Sequence, residues 1–345
     1  MSEYSAPPSL KATEEHGLIG VAGCGMWGKN IIRNLKKLGV LHAVHDHHDE
    51  RAAEYAQMFD CQKLSYEEML SDDKISGIVL ATAAPSHATL ACAALAKGKH
   101  VFIEKPMALT LQDAQQIAQT AQAENRQVMI GHLIRYHPVF QQLNILAHQG
   151  IIGEIRHIQA NRLAMGRIRS TESVIFDLCP HDLAIILALT EGALPEQVSC
   201  QFISHITPDI ADMALTSMRF SDSLTAQMHT SWMSPLKEHR LTVTGSTGAL
   251  VFDDTRPWAE KLAHYPHHIT RHGEHFHIDR AEVRFIEVAE AEPLSCEMQA
   301  FIHSCATNTP ALTSASEGVA VQQILEMMHH HAVELSPAQK MSLTP

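Results

Sequence analysis

Apolar and polar positions change rhythm near residue 136. Before it, short apolar runs at 18–22 (LIGVA), 41–46 (LHAVHD), 77–82 (GIVLAT), 101–104 (VFIE) and 127–131 (QVMIG) read as strands. Between them, residues 29–38, 51–59, 86–97 and 111–124 carry apolar residues at helical spacing, with a short helical turn at 67–70. Strands alternating with helices predict a parallel sheet covered on both faces. After 136 a helix at 137–149 is followed by strand patterns at 154–162, 198–204, 214–220, 224–232, 240–245 and 249–253, joined by polar turns such as 221–223 and 246–248. Consecutive strands with short connections are antiparallel. Helical patterns at 295–305 and 316–330 close the chain. The pattern predicts an α/β domain over 17–136 and an α+β substrate and oligomerisation domain over 137–334. The second has a large, mainly antiparallel open sheet with helices on one face. Residues 1–16 read as a disordered leader and 335–345 as a tail.

Length and composition agree with two domains: 345 residues, 45% hydrophobic and 19% charged. Lys and Arg number 26 against 38 Asp and Glu, a net charge of −12, which argues against a nucleic-acid partner. No apolar run approaches the ~20 residues that span a bilayer; the most hydrophobic, LAIILAL at 183–189, is too short. The N-terminus lacks the basic-then-apolar order of a signal peptide. Seven cysteines (Cys24, Cys61, Cys92, Cys179, Cys200, Cys296, Cys305) show no CxxC pair, so reduced thiols and a cytoplasmic location are expected. The 25 histidines cluster at His45/His47/His48, at six positions between His264 and His277, and at His329/His330/His331. None shows a spacing such as HExxH, and no metal is expected.

The first strand ends in Gly23-Cys24-Gly25-Met26-Trp27-Gly28, and a helix follows. In that context the glycines mark a dinucleotide-binding Rossmann turn. Gly23 permits the tight turn, Gly25 lets the backbone, with Met26 and Trp27, approach a pyrophosphate, and Gly28 lets the helix pack closely. Free N–H groups at the helix start suit phosphate. Asp46, 18 residues past Gly28, is placed to accept hydrogen bonds from the adenosine ribose. A carboxylate there repels a 2′-phosphate and favours NAD, while Arg51 keeps NADP open.

Glu104-Lys105-Pro106 directly follows the fourth strand, at the carboxyl edge where doubly wound sheets bind ligands. With Thr82, Pro85 and His87 after the third strand, and Asp177 and His181 as a D-x-x-x-H pair, the chain resembles the Gfo/Idh/MocA (glucose–fructose oxidoreductase/inositol dehydrogenase) family from about residue 17 to 330. The resemblance implies cofactor contacts from Thr82, Pro85, His87, Glu104 and Lys105, and catalysis by Lys105, Asp177 and His181. A narrower likeness lies in GHLIRYHP (131–138), NRLAMGRIRS (161–170), CPHDLAIIL (179–187), Trp232/Pro235/Lys237/Arg240 and EPLSCE (292–297). These stretches are similar to members that oxidise UDP-N-acetylglucosamine-type sugars at C3, preparing a ketone for an aminotransferase in lipopolysaccharide or lipid A sugar synthesis. Family members commonly assemble as homodimers or homotetramers through the open sheet.

The chemistry is coherent. Oxidising a secondary alcohol needs a proton acceptor for the hydroxyl while hydride leaves carbon. An imidazole such as His181, with an unperturbed pKa of about 6.5, suits a base near neutrality. Lys105 can donate to the developing alkoxide or be the base itself, and both assignments stay open. Asp177, one helical turn before His181, can orient it or Lys105. Arg162, Arg167, Arg169, Lys237 and Arg240 are candidates for a diphosphate clamp, since guanidinium forks match phosphate oxygens. His132, Tyr136 and His137 are placed as lining the substrate cleft. Cys179 as a nucleophile lacks a matched Cys–His pair. The competing readings are a dehydrogenase of a UDP-uronic acid, or of a free sugar or polyol such as inositol, and a cofactor-bound sensor without catalysis.

Overall fold

In the computed structural model, described over residues 17–166, 168–170, 172–220 and 223–335, the early alternation becomes a six-stranded sheet. Its elements run β1 (Leu18–Ala22), α1 (Gly28–Lys37), β2 (Leu41–His45), α2 (Asp49–Phe59), β3 (Gln62–Lys63), α3 (Tyr66–Ser71), β4 (Ile75–Leu80), α4 (His87–Ala96), β5 (His100–Ile103), α5 (Leu111–Ala123) and β6 (Val128–Ile130). All strands pair in parallel in the order β3-β2-β1-β4-β5-β6. The order reverses between β1 and β4, and ligands of such sheets bind in the crevice at that switch point. The loops carrying the glycine turn and Thr82 leave from these two strands.

The remaining chain forms α6 (Pro138–His148), β7 (Ile155–Met165), α7 (Val174–Leu189), β8 (Gln197–Ile203), β9 (Met213–Arg219), β10 (Thr225–Ser231), β11 (Met233–Gly245), β12 (Ala249–Asp253), β13 (Leu262–Tyr265), β14 (His268–His272), β15 (His275–Asp279), β16 (Arg284–Phe285), α8 (Pro293–Thr307), α9 (Ala315–His330) and β17 (Ala332–Leu335). Nine of these strands make one mixed sheet, β16-β13-β12-β11-β7-β10-β9-β8-β17. It is antiparallel except at β7–β10 and β8–β17. α7 is apolar nearly all round its circumference and is correspondingly buried, packing on β7, β9, β10 and α6. β14 and β15 form a separate hairpin that the sequence pattern did not mark.

Two compact units result, and the boundaries differ from those expected. One unit runs to His137 and also takes in Ala291–Gln322; the other holds Pro138–Glu290 and the chain from Gln323 onward. Of the two helices expected to close the second domain, α8 thus belongs to the first unit and α9 is divided between the two. The reason is the apolar stripe of α8. Leu294, Met298, Phe301, Ile302 and Cys305 of α8 share one core with Ile19, Val21, Val79, Phe102 and Met129 of the parallel sheet. Contact is close enough that a Cβ on Gly77 would meet Cys305 Sγ at 2.8 Å. The leader over 1–16 and the tail beyond Leu335 lie outside the described residues.

Candidate functional site

The glycine turn has the geometry its sequence asks for. Gly23 adopts φ +104°, and a Cβ there would lie 2.4 Å from the Ala81 carbonyl. A Cβ on Gly28 would lie 2.0 Å from the Gly23 carbonyl, so α1 leaves the turn at a distance only glycine tolerates. At Gly25 a Cβ would meet nothing within 4 Å. The first turn of α1 has no side-chain cap and no acidic residue; Lys29 N and Asn30 N donate to the Gly25 and Trp27 carbonyls, so what the turn offers an anion is the positive end of the helix. Asp46 is buried, with Oδ2 accepting from Cys24 N at 2.8 Å and Oδ1 from His48 N at 2.9 Å. Burial opposes ionisation there, but these N–H groups, with Arg51 and His47 nearby, hold the carboxyl below its ordinary range. These residues fit a dinucleotide: an open backbone cradle, an uncapped helix start and a fixed carboxylate at the end of β2.

His87 ties two loops of this edge together. Its ring is 1% exposed, with Nδ1 2.9 Å from the Pro106 carbonyl and Nε2 3.1 Å from that of Thr82. Burial lowers its pKa, and a neutral ring donates to only one of the two carbonyls. His87 therefore braces the loops from within, rather than lining the cofactor cradle as expected from the sequence. Thr82 accepts from Ser86 Oγ at 2.8 Å, and Pro85 sits in the intervening 3-10 turn. Lys105 follows β5 through Glu104, whose Oε1 accepts the Trp27 indole N–H. Burial pushes the Glu104 carboxyl up to about 7, against the opposing pull of Trp27 and Lys105.

His132 and Tyr136, expected at the substrate, are instead interior to the first unit. His132 is 1% exposed, with Nδ1 3.3 Å from Glu317 Oε1. The Tyr136 hydroxyl lies 3.1 Å from Thr313 Oγ1, which in turn donates to the Ile130 carbonyl at 2.7 Å. The partners come from the segment after Ala291, whose return to this unit the sequence pattern does not reveal. His137 is likewise buried.

In the second unit, Asp177 stands in the first turn of α7 and His181 one turn later. The Asp177 carboxylate accepts from Arg169 Nη2 at 2.8 Å and from the Trp232 indole at 3.1 Å. Arg169 is thus bound to Asp177, and also to Glu172 at 3.0 Å. Arg162 donates to Asp182 from both Nε (3.0 Å) and Nη2 (2.7 Å), a pair almost wholly buried beneath α7. Cys179 is buried against Thr230, and burial drives its thiol strongly toward the protonated form, unlike a nucleophile.

Of the five bases expected to clamp a diphosphate, Arg162 and Arg240 do not share a face. Arg162 pairs across the sheet with His239, and Arg240 with Asn161. Successive strand residues face opposite sides, so Arg162 and Arg240 project from opposite faces. Arg240 is held by Glu238 at 2.5 Å, Lys237 is exposed, and Arg167 lies outside the described residues. Asp182 is the residue that sequence reasoning missed. Its signal is an acid inside the apolar run CPHDLAIIL, where a buried charge demands a partner. Among the described residues no three His, Cys, Asp or Glu side chains are grouped to hold a metal, and no helix is long and apolar enough to cross a membrane.

Comparison with known proteins gives two family matches: the oxidoreductase family with an NAD-binding Rossmann fold over residues 18–132, and the GFO/IDH/MocA C-terminal domain over 140–251. The UDP-N-acetylglucosamine 3-dehydrogenase of Acidithiobacillus ferrooxidans is 29% identical over 314 residues, covering 90% of this chain and 94% of its own. A solved structure of that enzyme superposes with a TM-score of 0.80 at 26% identity, covering 92% of this chain and 97% of the other. The inositol 2-dehydrogenase of Acidothermus cellulolyticus is 25% identical, covering 73% of this chain and 77% of its own.

Proposed function

Since the chain belongs to the Gfo/Idh/MocA family of NAD(P)-dependent oxidoreductases, we propose that it oxidises a sugar secondary hydroxyl to a ketone, at C3 of UDP-N-acetylglucosamine or a close UDP-amino sugar, with NAD as acceptor. The observation that carries this reading is the likeness, along nine-tenths of the chain, to a UDP-N-acetylglucosamine 3-dehydrogenase. The basic residues support it less than their number suggests, because Arg162 is committed to Asp182. Arg169 is likewise engaged by Asp177 and Glu172, so the diphosphate contact rests on the likeness to the relative and not on a cluster of free bases.

The nicotinamide, when bound, supplies the hydride acceptor. Everything else falls to the chain. The cradle from Gly23 to Gly28 and the start of α1 hold the pyrophosphate, and Asp46 holds the adenosine ribose. Lys105 and His181 between them provide the base for the hydroxyl proton and the donor to the developing alkoxide. Asp177, held by Arg169 and Trp232, is placed one helical turn before His181 to orient it. The ketone product suits a following aminotransferase, and a cytoplasmic homodimer or homotetramer is part of the same proposal.

A panel of UDP-N-acetylglucosamine, its uronic acid and myo-inositol, each with NAD and NADP, tests the substrate by absorbance of the reduced cofactor. Reduction with the UDP-amino sugar and NAD is expected. Turnover of inositol alone would replace this reading with the polyol one, which the second relative makes the natural rival. Cofactor choice has its own test. Asp46→Asn keeps the side-chain shape but removes the charge that repels a 2′-phosphate, with Arg51 3.4 Å away to receive it. The ratio of kcat/KM for NADP to that for NAD is expected to rise about tenfold, equivalent to ~1.4 kcal/mol; an unchanged ratio removes Asp46 from cofactor choice.

A further inference from the structure

Glu297 has no role in the chemistry above and is costly where it stands. It lies on the buried face of α8 between Leu294 and Phe301, is 0% exposed, and neither carboxyl oxygen has a hydrogen-bond partner among the described residues. An ionised carboxylate is not tolerated in such a place without a partner. Register shows what it faces. Phe301, one turn after Glu297 on the same helical face, packs edge-on against Phe102 with ring centroids 5.7 Å apart. Phe102 and Glu104 are two residues apart on an extended chain and project to the same side. One layer above the Phe102–Phe301 contact, Glu297 is therefore on the side to which Glu104 projects, and it feels the Glu104 charge. Gly131 closes this layer: a Cβ there would lie 3.0 Å from Glu104 Oε2.

We propose that Glu297 is a positioning residue that keeps its proton and donates it as a hydrogen bond to the Glu104 carboxylate, so that the two carboxyls together set the charge beside Lys105. The proton balance is simple. One proton stays on Glu297, Glu104 is the group that gains and loses the second, and no covalent bond changes. Burial and the Glu104 charge both raise the Glu297 carboxyl well above its ordinary range, which keeps that proton in place. Glu104 itself titrates near neutrality. The other groups facing the pair are Trp27 and Lys105, which favour the ionised form of Glu104, and Tyr136, which feels the charges of Glu297 and Glu317. A donor on a carboxylate favours its charged form, so Glu297 lowers the pH at which Glu104 ionises. This charge pairing stands whichever sugar is the substrate.

The test reads Glu104 through the indole that donates to it, and needs neither substrate nor turnover. The full chain is labelled with 15N-tryptophan, the Trp27 indole N–H signal is assigned with Trp27→Phe, and its shift is followed with pH. An inflection near 7 is expected in the unsubstituted protein. Glu297→Leu removes the donor and is expected to raise the inflection by about half a unit or more, a threefold gain in proton affinity. Glu297→Met, unbranched like glutamate, is the second apolar variant should Leu not fold. Glu297→Gln offers an amide N–H in place of the acid and is expected to bring the inflection back to within a few tenths of the original. A purely packing role for Glu297 predicts no movement with Leu or Met. An inflection that stays in place, or falls, in those variants overturns the proposal, a fall meaning that Glu297 is ionised.

Discussion

Lys105→Met is expected to lower kcat/KM by about a thousandfold or more while the protein still binds NAD. A positioned proton-transfer group contributes about 10²–10⁴, and a donor to a developing oxyanion contributes on a similar scale. Lys105 is proposed for one of these roles. Methionine keeps the length and apolar stem of the side chain, and the Trp27–Glu104 hydrogen bond does not involve the Lys105 side chain. None of the features assigned to the pyrophosphate and ribose involves Lys105: the uncapped start of α1, the space beside Gly25 and the Asp46 carboxylate all remain. Calorimetric titration with NAD and steady-state absorbance, on the same preparation, separate the two effects. Turnover within tenfold of the unsubstituted enzyme would remove Lys105 from the chemistry. Equal loss of binding and turnover would make it a cofactor residue only. His181→Asn, compared by the pH dependence of kcat, then distinguishes base from donor, since loss of the base flattens the acid limb.

The largest effect on stability is expected from Asp182→Ala. It leaves the largely buried Arg162 guanidinium beneath α7 with its carboxylate partner gone. Removing one member of a buried pair costs about 3–5 kcal/mol. For a unit of this size that is a fall in Tm of about 10 °C. The double replacement Arg162→Met with Asp182→Leu removes both charges and fills the space, and most of the loss should return. Thermal unfolding of the two variants checks this. A single variant within about 1 kcal/mol of the parent would mean that water reaches the pair and that it does not pin α7. The consequence for function is indirect: Asp182 directly follows His181, so the pair fixes the helical turn carrying the proposed catalytic imidazole.

Much of the first unit was legible because its signals are local. The glycine turn, the helix after it and Asp46 lie within 24 residues, from Gly23 to Asp46, and each needs only its neighbours to be interpretable. What escaped depends on pairings between distant segments. The amphipathic stripe of α8 announces a helix, but nothing in residues 293–307 says that its partner is β4 and β5 rather than the adjacent sheet. That partner decides the domain boundary. It also explains why His132 and Tyr136 are interior, covered by Glu317 and Thr313 from the same returning segment. Arg162 and Arg240 part company for a different reason. Their motifs are close in sequence or in register, but period-two alternation sends Arg162 and Arg240 to opposite faces, a distinction that requires the β7–β11 register. Arg162 and Asp182, 20 residues apart, are joined only because α7 packs back on β7.

The most direct test of the proposed reaction follows the hydrogen that is transferred. UDP-N-acetylglucosamine carrying deuterium at C3 is incubated with the enzyme and NAD, and the reduced cofactor is collected and weighed by mass spectrometry. Oxidation at C3 predicts a reduced cofactor one mass unit heavier than that formed from unlabelled sugar, and a slower rate with the labelled one wherever hydride transfer limits turnover. Reduced cofactor formed without the label would place the oxidation at another carbon, and no reduction at all, from a preparation that binds NAD, would contradict the assignment of this sugar.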